Sequence, residues 1–348
     1  MSESRSPLRI LLPALALVLL VGMSGGVGAQ ESAKLSYKKV QKWNFVTPTE
    51  KWNAVSGEIP IAHAGGSGFA AEIDGHALVV DTTGNGKPNC KVKGVSGDAT
   101  LSAKDSEGRK FKYALRFKKE GAGWKYASAG VMQGKVLGVP IRILDLNHNG
   151  VWNEVGEDGM IVGKGSAASF LSKVVNLKGE LYEFSLTADG RSMTIKPFQG
   201  ETGVLNVRKG FKANGKLVSA VVMDDTGDYS FNLANAKNGM KVPAGEYSIA
   251  AGRLKRGGAS VRMRAGRMAP LKVRANQPVT FTWGAPIRAE FSYNRSGTKI
   301  TIEPSSLKFY DRSGVEYFGW MPVGQSPKFI VKDRKTGKEI SSGRFCST

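Results

Sequence analysis

Short stretches in which apolar and polar residues alternate recur along most of the chain. The clearest is KFKYALRFKKE at residues 110–120, where every second position is apolar or aromatic and basic residues fill most positions between them. A period of two is typical of a β-strand with one buried and one exposed face. ELYEFSL at residues 180–186 alternates in the same way, so the pattern predicts strands at both places.

Glycine separates these stretches into short segments. The chain has 44 glycines, most of them spread singly rather than gathered in runs. Turn signals that recur about every 8 to 12 residues are typical of antiparallel β architectures. We therefore expect an all-β fold of two or three β-sandwich-like modules. The segment SAASFLSKVVNL at residues 166–177 fits either a short helix or strands.

The first residues have the composition of an export signal. Arg5 and Arg9 accompany an apolar run at residues 8–21, and small residues follow at 27–29. This order predicts a signal peptide over residues 1–29, with an uncleaved signal anchor as the alternative. No other apolar stretch has the length that a membrane-spanning helix needs. We expect an extracytoplasmic chain, which is periplasmic, secreted or at the cell surface, with no membrane span after signal cleavage.

Changes of motif divide the rest of the chain into three predicted units, at residues 36–197, 198–283 and 284–348. VPAGEYSIAAGRL at residues 242–254 resembles the edge of transthyretin-like or carboxypeptidase-regulatory-like β-sandwich modules, in which a PxGxY loop leads into a strand. The segment APIRAEFSYNRSGTKITIEPSSLKFYDRSGVEYFG, from residue 285 onwards, resembles an immunoglobulin-like sandwich. The whole chain resembles secreted bacterial multi-module β proteins. That resemblance implies a fold and a location but no activity.

The sequence DLNHNGVWNEVGEDG carries the most specific chemistry in the chain. A calcium loop of the EF-hand type has oxygen ligands at positions 1, 3, 5, 7, 9 and 12 and a glycine at position 6. Position 12 is Gly156 here, so the missing carboxylate has to come from Glu154, Glu157 or Asp158. The loop resembles the DxDxDG calcium loops of secreted β proteins. Its predicted calcium ligands are Asp145, Asn147, Asn149, Val151, Asn153, Glu154 and Asp158.

A second loop, VVDTTGNGKPN, has the same spacing with a single carboxylate. Its predicted calcium ligands are Asp81, Thr83, Asn85 and Asn89. For both loops the alternative is an Asx-rich turn, in which the side chains hydrogen-bond their own backbone. His148 lies at a position of the Asp145 loop that does not bind metal, and we expect it to face solvent.

The chain is strongly basic, with 50 Lys and Arg against 29 Asp and Glu and a net charge of +21. Such an excess favours contact with an anionic partner. The tract at residues 252–274 predicts a polyanion-binding surface, with a solvated basic hairpin as the alternative. Its candidate residues are Arg253, Lys255, Arg256, Arg262, Arg264 and Arg267. Few aromatic residues are interleaved, so we expect an anionic envelope polymer or acidic polysaccharide rather than nucleic acid.

No familiar catalytic motif is present. His63, Ser67, Asp74 and His76 are close in sequence, but they show neither the G-x-S-x-G elbow nor the HExxH spacing. The paired carboxylates of a glycosidase meet in space and leave no local pattern, so a hydrolase stays an alternative.

The cysteines do not form a disulfide scaffold. Cys90 and Cys346 are the only two in the sequence. In an oxidising compartment they allow one disulfide, and the alternative is two free thiols.

Together these patterns predict an exported, non-enzymatic binding or structural protein, stabilised by calcium in its first unit. One alternative is a secreted hydrolase that acts on polysaccharide. The other is a polyanion-binding adhesion module.

Overall fold

The fold is nearly all β, as the alternating pattern predicts. A computed structural model describes residues 30–321 and 327–345, so the predicted signal peptide at residues 1–29 lies outside the described residues. Within the described residues the only helical element is a 3₁₀ turn at Pro304–Ser306, and strands make up the rest of the regular structure. In these residues no helix is long and apolar enough to cross a bilayer.

The strands before residue 198 form four antiparallel sheets. In chain order they are β1 (Glu31–Lys34), β2 (Ser36–Lys39), β3 (Asn53–Ala54), β4 (Glu58–Ile59), β5 (Phe69–Asp74), β6 (Ala77–Val80), β7 (Cys90–Val92), β8 (Ser96–Lys104), β9 (Lys110–Glu120), β10 (Gly123–Ser128), β11 (Gly130–Val136), β12 (Val139–Leu144), β13 (Gly159–Val162), β14 (Ser169–Phe170), β15 (Val174–Leu177), β16 (Glu180–Leu186) and β17 (Ser192–Pro197). The sheet orders are β1-β17-β16-β15, β3-β10-β9-β8, β14-β13-β12-β11-β2 and β4-β5-β6-β7.

The second half of the chain contains a larger sheet. Its strands are β18 (Thr202–Asn206), β19 (Phe211–Lys212), β20 (Lys216–Asp224), β21 (Ser230–Asn232), β22 (Met240–Pro243), β23 (Gly245–Arg256), β24 (Ala259–Arg264), β25 (Leu271–Val273), β26 (Pro278–Thr280), β27 (Trp283–Gly284), β28 (Arg288–Glu290), β29 (Tyr293–Ser296), β30 (Lys299–Ile302), β31 (Lys308–Tyr310), β32 (Glu316–Met321), β33 (Lys328–Lys332) and β34 (Glu339–Arg344). The large sheet runs β21-β20-β23-β24-β32-β31-β28, with β25 paired to β23.

Strand β9 shows how the alternation builds the first core. Tyr113, Leu115 and Phe117 are each at most 2% exposed and pack with side chains from neighbouring sheets. Burying side chains of this size stabilises a fold by about 1.5 to 3 kcal/mol each. The segment 166–177 fitted either a short helix or strands, and it contains the two short strands β14 and β15.

The second core crosses the predicted unit boundaries. Val174 and Leu181 belong to strands before residue 198, yet they pack in the cluster around Tyr247 and Trp283. Strand β24 pairs with β32, so the large sheet contains strands from both sides of residue 283. The PAGEY stretch spans the last residue of β22, Ala244 and the first three residues of β23. The division into three units stays a prediction.

Candidate functional site

The Asp81 and Asp145 loops share two backbone hydrogen bonds to the carboxylate of their first residue. Each loop connects two neighbouring antiparallel strands, β6 to β7 and β12 to β13. In the first loop the N–H of Gly86 donates to Oδ2 of Asp81 at 2.7 Å. In the second the N–H of Gly150 donates to Oδ2 of Asp145, also at 2.7 Å. In both loops the chain folds around the carboxylate of its first residue.

The agreement extends to the fifth position of each loop. Oδ1 of Asn85 accepts the N–H of Lys87 at 2.9 Å, and Oδ1 of Asn149 accepts the N–H of Val151 at 2.8 Å. The spacing seen in the sequence therefore corresponds to two equivalent turns.

The Asp81 carboxylate is satisfied by the loop itself. It is completely buried, and its Oδ1 accepts hydrogen bonds from the N–H and hydroxyl of Thr83 and from the N–H of Gly84. Desolvation raises the pKa of Asp81, but these donors outweigh it and hold the pKa below its ordinary value. Asn89 is also occupied, since its Oδ1 accepts the N–H and hydroxyl of Thr82. With the N–H of Gly86, four donors hold the Asp81 carboxylate, so the loop can close around it without a cation.

Asp145 is completely buried in a different environment. Its Oδ2 accepts the hydroxyl of Tyr113 at 2.7 Å, and its Oδ1 accepts the N–H of His148. Desolvation raises the pKa of Asp145 despite these hydrogen bonds. Among the described residues no Lys or Arg forms an ion pair with it. The charge of Asp145 is therefore not compensated by a protein cation.

A second buried carboxyl group lies beside Asp145. Asp158 is completely buried; its Oδ2 accepts the N–H of Glu154 at 3.1 Å and its Oδ1 that of Leu146 at 3.4 Å. Desolvation and the charge of Asp145 raise the pKa of Asp158 to about 8. In the described chain Asp158 has no ion-pair partner either. Two adjacent buried carboxyl groups thus share one region without a cation.

Glu154 brings the two loop asparagines together. Its Oε2 accepts the side-chain amides of Asn147 and Asn149, each at 2.8 Å. The other amide atom of Asn147, Oδ1, is buried and has no hydrogen-bond partner in the described residues. An unsatisfied buried acceptor costs free energy unless a partner is supplied. Glu154 therefore reaches back into the loop, where Gly156 offers no carboxylate.

The remaining predicted ligands lie at the edge of this group. Glu157 points away and pairs with Lys51 at 3.3 Å. Asn153 is exposed and makes no hydrogen bond within the described residues. The carbonyl of Val151 likewise accepts no hydrogen bond from the described part of the chain. No group of three or more His, Cys, Asp and Glu side chains in residues 30–321 and 327–345 has an arrangement that could hold a metal on its own. A metal here would need amide and carbonyl oxygens as well.

The prediction that His148 faces solvent is wrong. The ring is 3% exposed, accepts the N–H of Ser128 at 3.1 Å and contacts the carbonyl of Lys51 at 2.9 Å. Its Nδ1 also lies 3.1 Å from the carbonyl of Asp145. Desolvation lowers the pKa of His148 and so favours the neutral imidazole, in which Nδ1 accepts from Ser128 and Nε2 donates to Lys51. The left-handed backbone of His148, with φ of 66°, turns its ring inward.

Carboxylates close other turns in this protein as well. In each of them an Asp side chain accepts backbone N–H groups within the following few residues. These residues are Asp105, Asp189, Asp311 and Asp333. An Asp that closes a turn is therefore common in this chain, and Asp311 is buried as Asp81 and Asp145 are. What distinguishes the Asp145 loop is the second buried carboxyl group, the inward Glu154 and the unsatisfied Asn147.

The Asp145 loop also forms one wall of a cavity of about 520 Å³. Residues 149–152 line it together with aromatic side chains, which are Tyr37, Phe111, Tyr113 and Trp152. Asp105 and Asp189 lie at its rim and both pair with Arg109, at 2.9 and 3.1 Å. For both aspartates desolvation raises the pKa, but hydrogen bonds outweigh it and hold the pKa below its ordinary value.

The histidine segment does not assemble a catalytic group. His63 stacks on Phe69 with ring centroids 4.3 Å apart, and its Nε2 lies 3.3 Å from the carbonyl of Gly84. Asp74 forms an exposed ion pair with Lys91. These residues therefore have structural contacts of their own.

The basic tract forms part of the large sheet, where β23 pairs with β24. Arg262 and Arg264 lie on the exposed face of β24 and both stack over Phe318, at 5.5 and 4.8 Å from its centroid. Arg264 also forms a bidentate pair with the buried Glu316, at 2.7 and 2.8 Å. Sequence patterns missed Phe318 and Glu316, because both belong to β32, more than 50 residues away along the chain.

The other candidate cations of the tract differ in their contacts. Arg267 forms a bidentate pair with Glu290. Arg253, Lys255 and Arg256 have no ion pair within the described residues. Arg256 lies at the end of β23, out of phase with the face that carries Arg253 and Lys255.

Cys90 is partly buried in β7. Cys346 lies outside the described residues, so its pairing with Cys90 stays a prediction.

Neither the family models, the curated proteins nor the solved structures with which the chain was compared match it. The Asp145 loop and the basic tract of the large sheet are the features of the molecule that bear on its function.

Proposed function

We propose that the chain is an exported, non-enzymatic β protein whose first module is stabilised by calcium bound at the Asp145 loop. Export rests on the sequence of residues 1–29, which has the order of a signal peptide. The calcium part rests on the buried carboxyl groups of the loop. In this proposal the metal supports the module and has no catalytic step.

The observation that carries the proposal is the uncompensated pair of Asp145 and Asp158. Buried carboxylates are normally paired with a cation or bound to a metal, because an isolated buried charge is costly. Here burial and the neighbouring charge raise the pKa of Asp158 to about 8. A divalent cation would supply the missing positive charge and favour the ionised form of both groups.

The chemistry of the donor set suits calcium, a hard cation that binds oxygen ligands from carboxylates, amides and carbonyls. Asp145 and Asp158 would supply carboxylates, while Glu154 would orient the amides of Asn147 and Asn149. Asn147 would supply its buried Oδ1, which has no other partner in the described residues. Asn149 and the carbonyl of Val151 would complete the set. We propose no metal for the Asp81 loop, because four donors hold that carboxylate and, among the described residues, no second buried carboxyl group lies beside it.

The carboxyl groups in and near the cavity beside the loop support a non-enzymatic module. A hydrolase of the glycosidase type needs a carboxyl group that keeps its proton near neutral pH and is open to substrate. Asp105 and Asp189, at the rim, have lowered pKa values and arginine partners. Asp158 has a raised pKa but is completely buried. A binding or structural role fits these carboxyl groups better than turnover does.

Thermal unfolding in EDTA, in calcium and in magnesium tests the proposal. Saturating calcium should raise the melting temperature of the wild-type protein by about 3 °C or more, since a ligand that binds only the folded state stabilises it. Asp158→Asn imitates the protonated carboxyl group, so it should fold and lose this response. Asp81→Asn removes the equivalent charge of the other loop and should keep the response. A wild-type protein with equal melting temperatures in EDTA and calcium would refute the proposal.

A further inference from the structure

The open face of the large sheet carries a continuous group of cations, which we call the basic face. Residues directly opposite each other in neighbouring strands point to the same side of a sheet. The pairing registers therefore place side chains from β20, β23 and β24 on one side. The cations of the basic face are Lys216, Arg253, Lys255, Arg262 and Arg264.

Like charges lie directly opposite each other within this face. Arg253 is opposite Arg262, and Lys216 is opposite Lys255. Like-charged cross-strand pairs destabilise a sheet. In the described chain none of these four cations has a carboxylate partner. An anionic ligand would relieve this repulsion. In a face with a purely structural role the repulsion would only lower stability.

Other contacts hold two of the guanidinium groups in position. Glu316, 6% exposed, fixes Arg264 by its bidentate pair. The same Arg264 and its neighbour Arg262 lie over the ring of Phe318. Stacked guanidinium groups of this kind keep their outer N–H groups free to bind a planar carboxylate in a bidentate manner.

We infer that the basic face binds a carboxylate-bearing polysaccharide, that is, a polymer of uronic acids. Its guanidinium and ammonium groups are complementary in charge to a chain that carries one carboxylate on each sugar ring.

The geometry favours this partner over single-stranded nucleic acid. Sequence-tolerant binding of single strands depends on bare aromatic rings on which bases stack. The ring of Phe318 is covered by Arg262 and Arg264, so it offers no open surface of this kind. The charges of the face remain available for carboxylates.

The inference does not depend on calcium at the Asp145 loop, because that loop and the basic face belong to different sheets. All binding measurements are therefore made in EDTA, which also prevents calcium from bridging the polysaccharide. A failure of the calcium proposal would leave the result for the basic face unchanged.

Binding to immobilised polygalacturonate, measured over a range of sodium chloride concentrations, tests the inference. The wild-type protein should bind, with an affinity that falls as the salt concentration rises. The triple variant Arg253→Gln, Lys255→Gln and Arg262→Gln should bind about tenfold more weakly or worse, because three cations are lost. A matched control removes three exposed cations elsewhere that have no ion pair in the described residues: Lys42→Gln, Lys93→Gln and Lys104→Gln. It should change the affinity by less than about twofold, since these lysines lie outside the face.

Three results would overturn the inference: equal losses in the triple variant and the control, no binding by the wild-type protein, or tighter binding to a competitor. The competitors are dextran sulfate, oligothymidylate and phosphatidylglycerol vesicles, which represent a sulfated polymer, a single strand and an anionic membrane. Melting curves check that the variants are folded. If the triple variant fails to fold, the single variant Arg262→Gln replaces it, against Lys93→Gln.

Discussion

Asp145 and Asp158 are both completely buried in one loop, and the charge of Asp145 helps to raise the pKa of Asp158 to about 8. Asp81, at the equivalent position of the other loop, has a lowered pKa. Two backbone hydrogen bonds to the first carboxylate are common to both loops, but Thr83 donates two more to Asp81, whereas Asp145 lies beside Asp158. This difference is the reason for proposing a metal in one loop and a closed turn in the other.

The stability of the metal-free protein should depend on the protonation of Asp158. The folded chain holds this proton up to about pH 8, whereas the unfolded chain loses it near its ordinary pKa of 3.8. Because the folded state binds the extra proton between these values, its contribution to stability is complete at low pH and is lost as the pH rises towards 8. Urea unfolding in EDTA at a series of pH values measures this loss.

Asp158→Asn is the reference for that experiment, because its residue 158 cannot titrate. All other groups, including His148 and Glu154, are the same as in the wild-type protein. The free energy of unfolding of the wild-type protein should fall relative to the variant by at most about 1.4 kcal/mol per pH unit. Saturating calcium should remove the fall. Parallel curves for the two proteins in EDTA would show that Asp158 does not titrate in this way.

Tyr113→Phe should destabilise the metal-free protein by about 1.5 to 3 kcal/mol, because it removes a hydrogen bond to a buried charged group. The Tyr113 hydroxyl donates to Asp145 at 2.7 Å. Tyr126→Phe is the matched control, since its hydroxyl has only a 3.5 Å contact with Asn53. Chemical unfolding of both variants measures the difference. Equal effects would mean that the Asp145 contact contributes no more than an ordinary buried hydroxyl.

Replacing one of two opposed cations should stabilise the large sheet. Arg253→Thr removes the repulsion with Arg262 and places a β-branched residue in a strand, so we expect a gain of about 0.2 to 1 kcal/mol. The gain should shrink in high salt, which screens the repulsion. Arg256→Thr, out of phase with the face, serves as control. A loss of stability in Arg253→Thr at low salt would contradict the repulsion.

Arg264→Ala should lower the free energy of unfolding by about 1 to 3 kcal/mol, because it leaves the buried carboxylate of Glu316 without its partner. Arg264 is half exposed, so the loss should be smaller than for a fully buried pair. The hydrogen bond from Arg264 lowers the pKa of Glu316. The pair therefore stabilises the protein above the ordinary glutamate pKa, and the difference between wild type and variant should shrink as the pH falls below it.

Arg267→Ala is the control for that variant, because its partner Glu290 is exposed. Surface pairs of this kind contribute about 0 to 1 kcal/mol. Urea unfolding at neutral and acidic pH compares the two variants. Equal costs at both positions would show that the burial of Glu316 has no effect.

Period-two alternation was sufficient to predict the all-β fold, because one buried face imposes it on each strand. It predicted the buried Tyr113, Leu115 and Phe117 of β9. It could not predict Arg116, whose guanidinium lies over the rings of Trp43 and Trp52, because residues 43–52 have no strand pattern. Contacts of that kind depend on how an irregular segment folds back over the sheet.

For the candidate site, spacing alone found both loops and left three carboxylates as choices for the missing ligand. Glu154 and Asp158 turn inward and Glu157 turns to Lys51, which no local pattern indicates. The burial of His148 was missed, because it depends on contacts with Ser128 and Lys51 that are distant in sequence. Ligand spacing therefore predicts the turn. The charge balance of the turn depends on residues that are distant in sequence and meet only in the folded protein.

Calorimetric titration of calcium into EDTA-stripped, dialysed protein tests the central claim most directly. The wild-type protein should bind one calcium ion. Asp145→Asn should bind none, and Asp81→Asn should bind one. No saturable heat from the wild-type protein, or binding that Asp145→Asn leaves unchanged, would show that the Asp145 loop is only a turn closed by its own carboxylate.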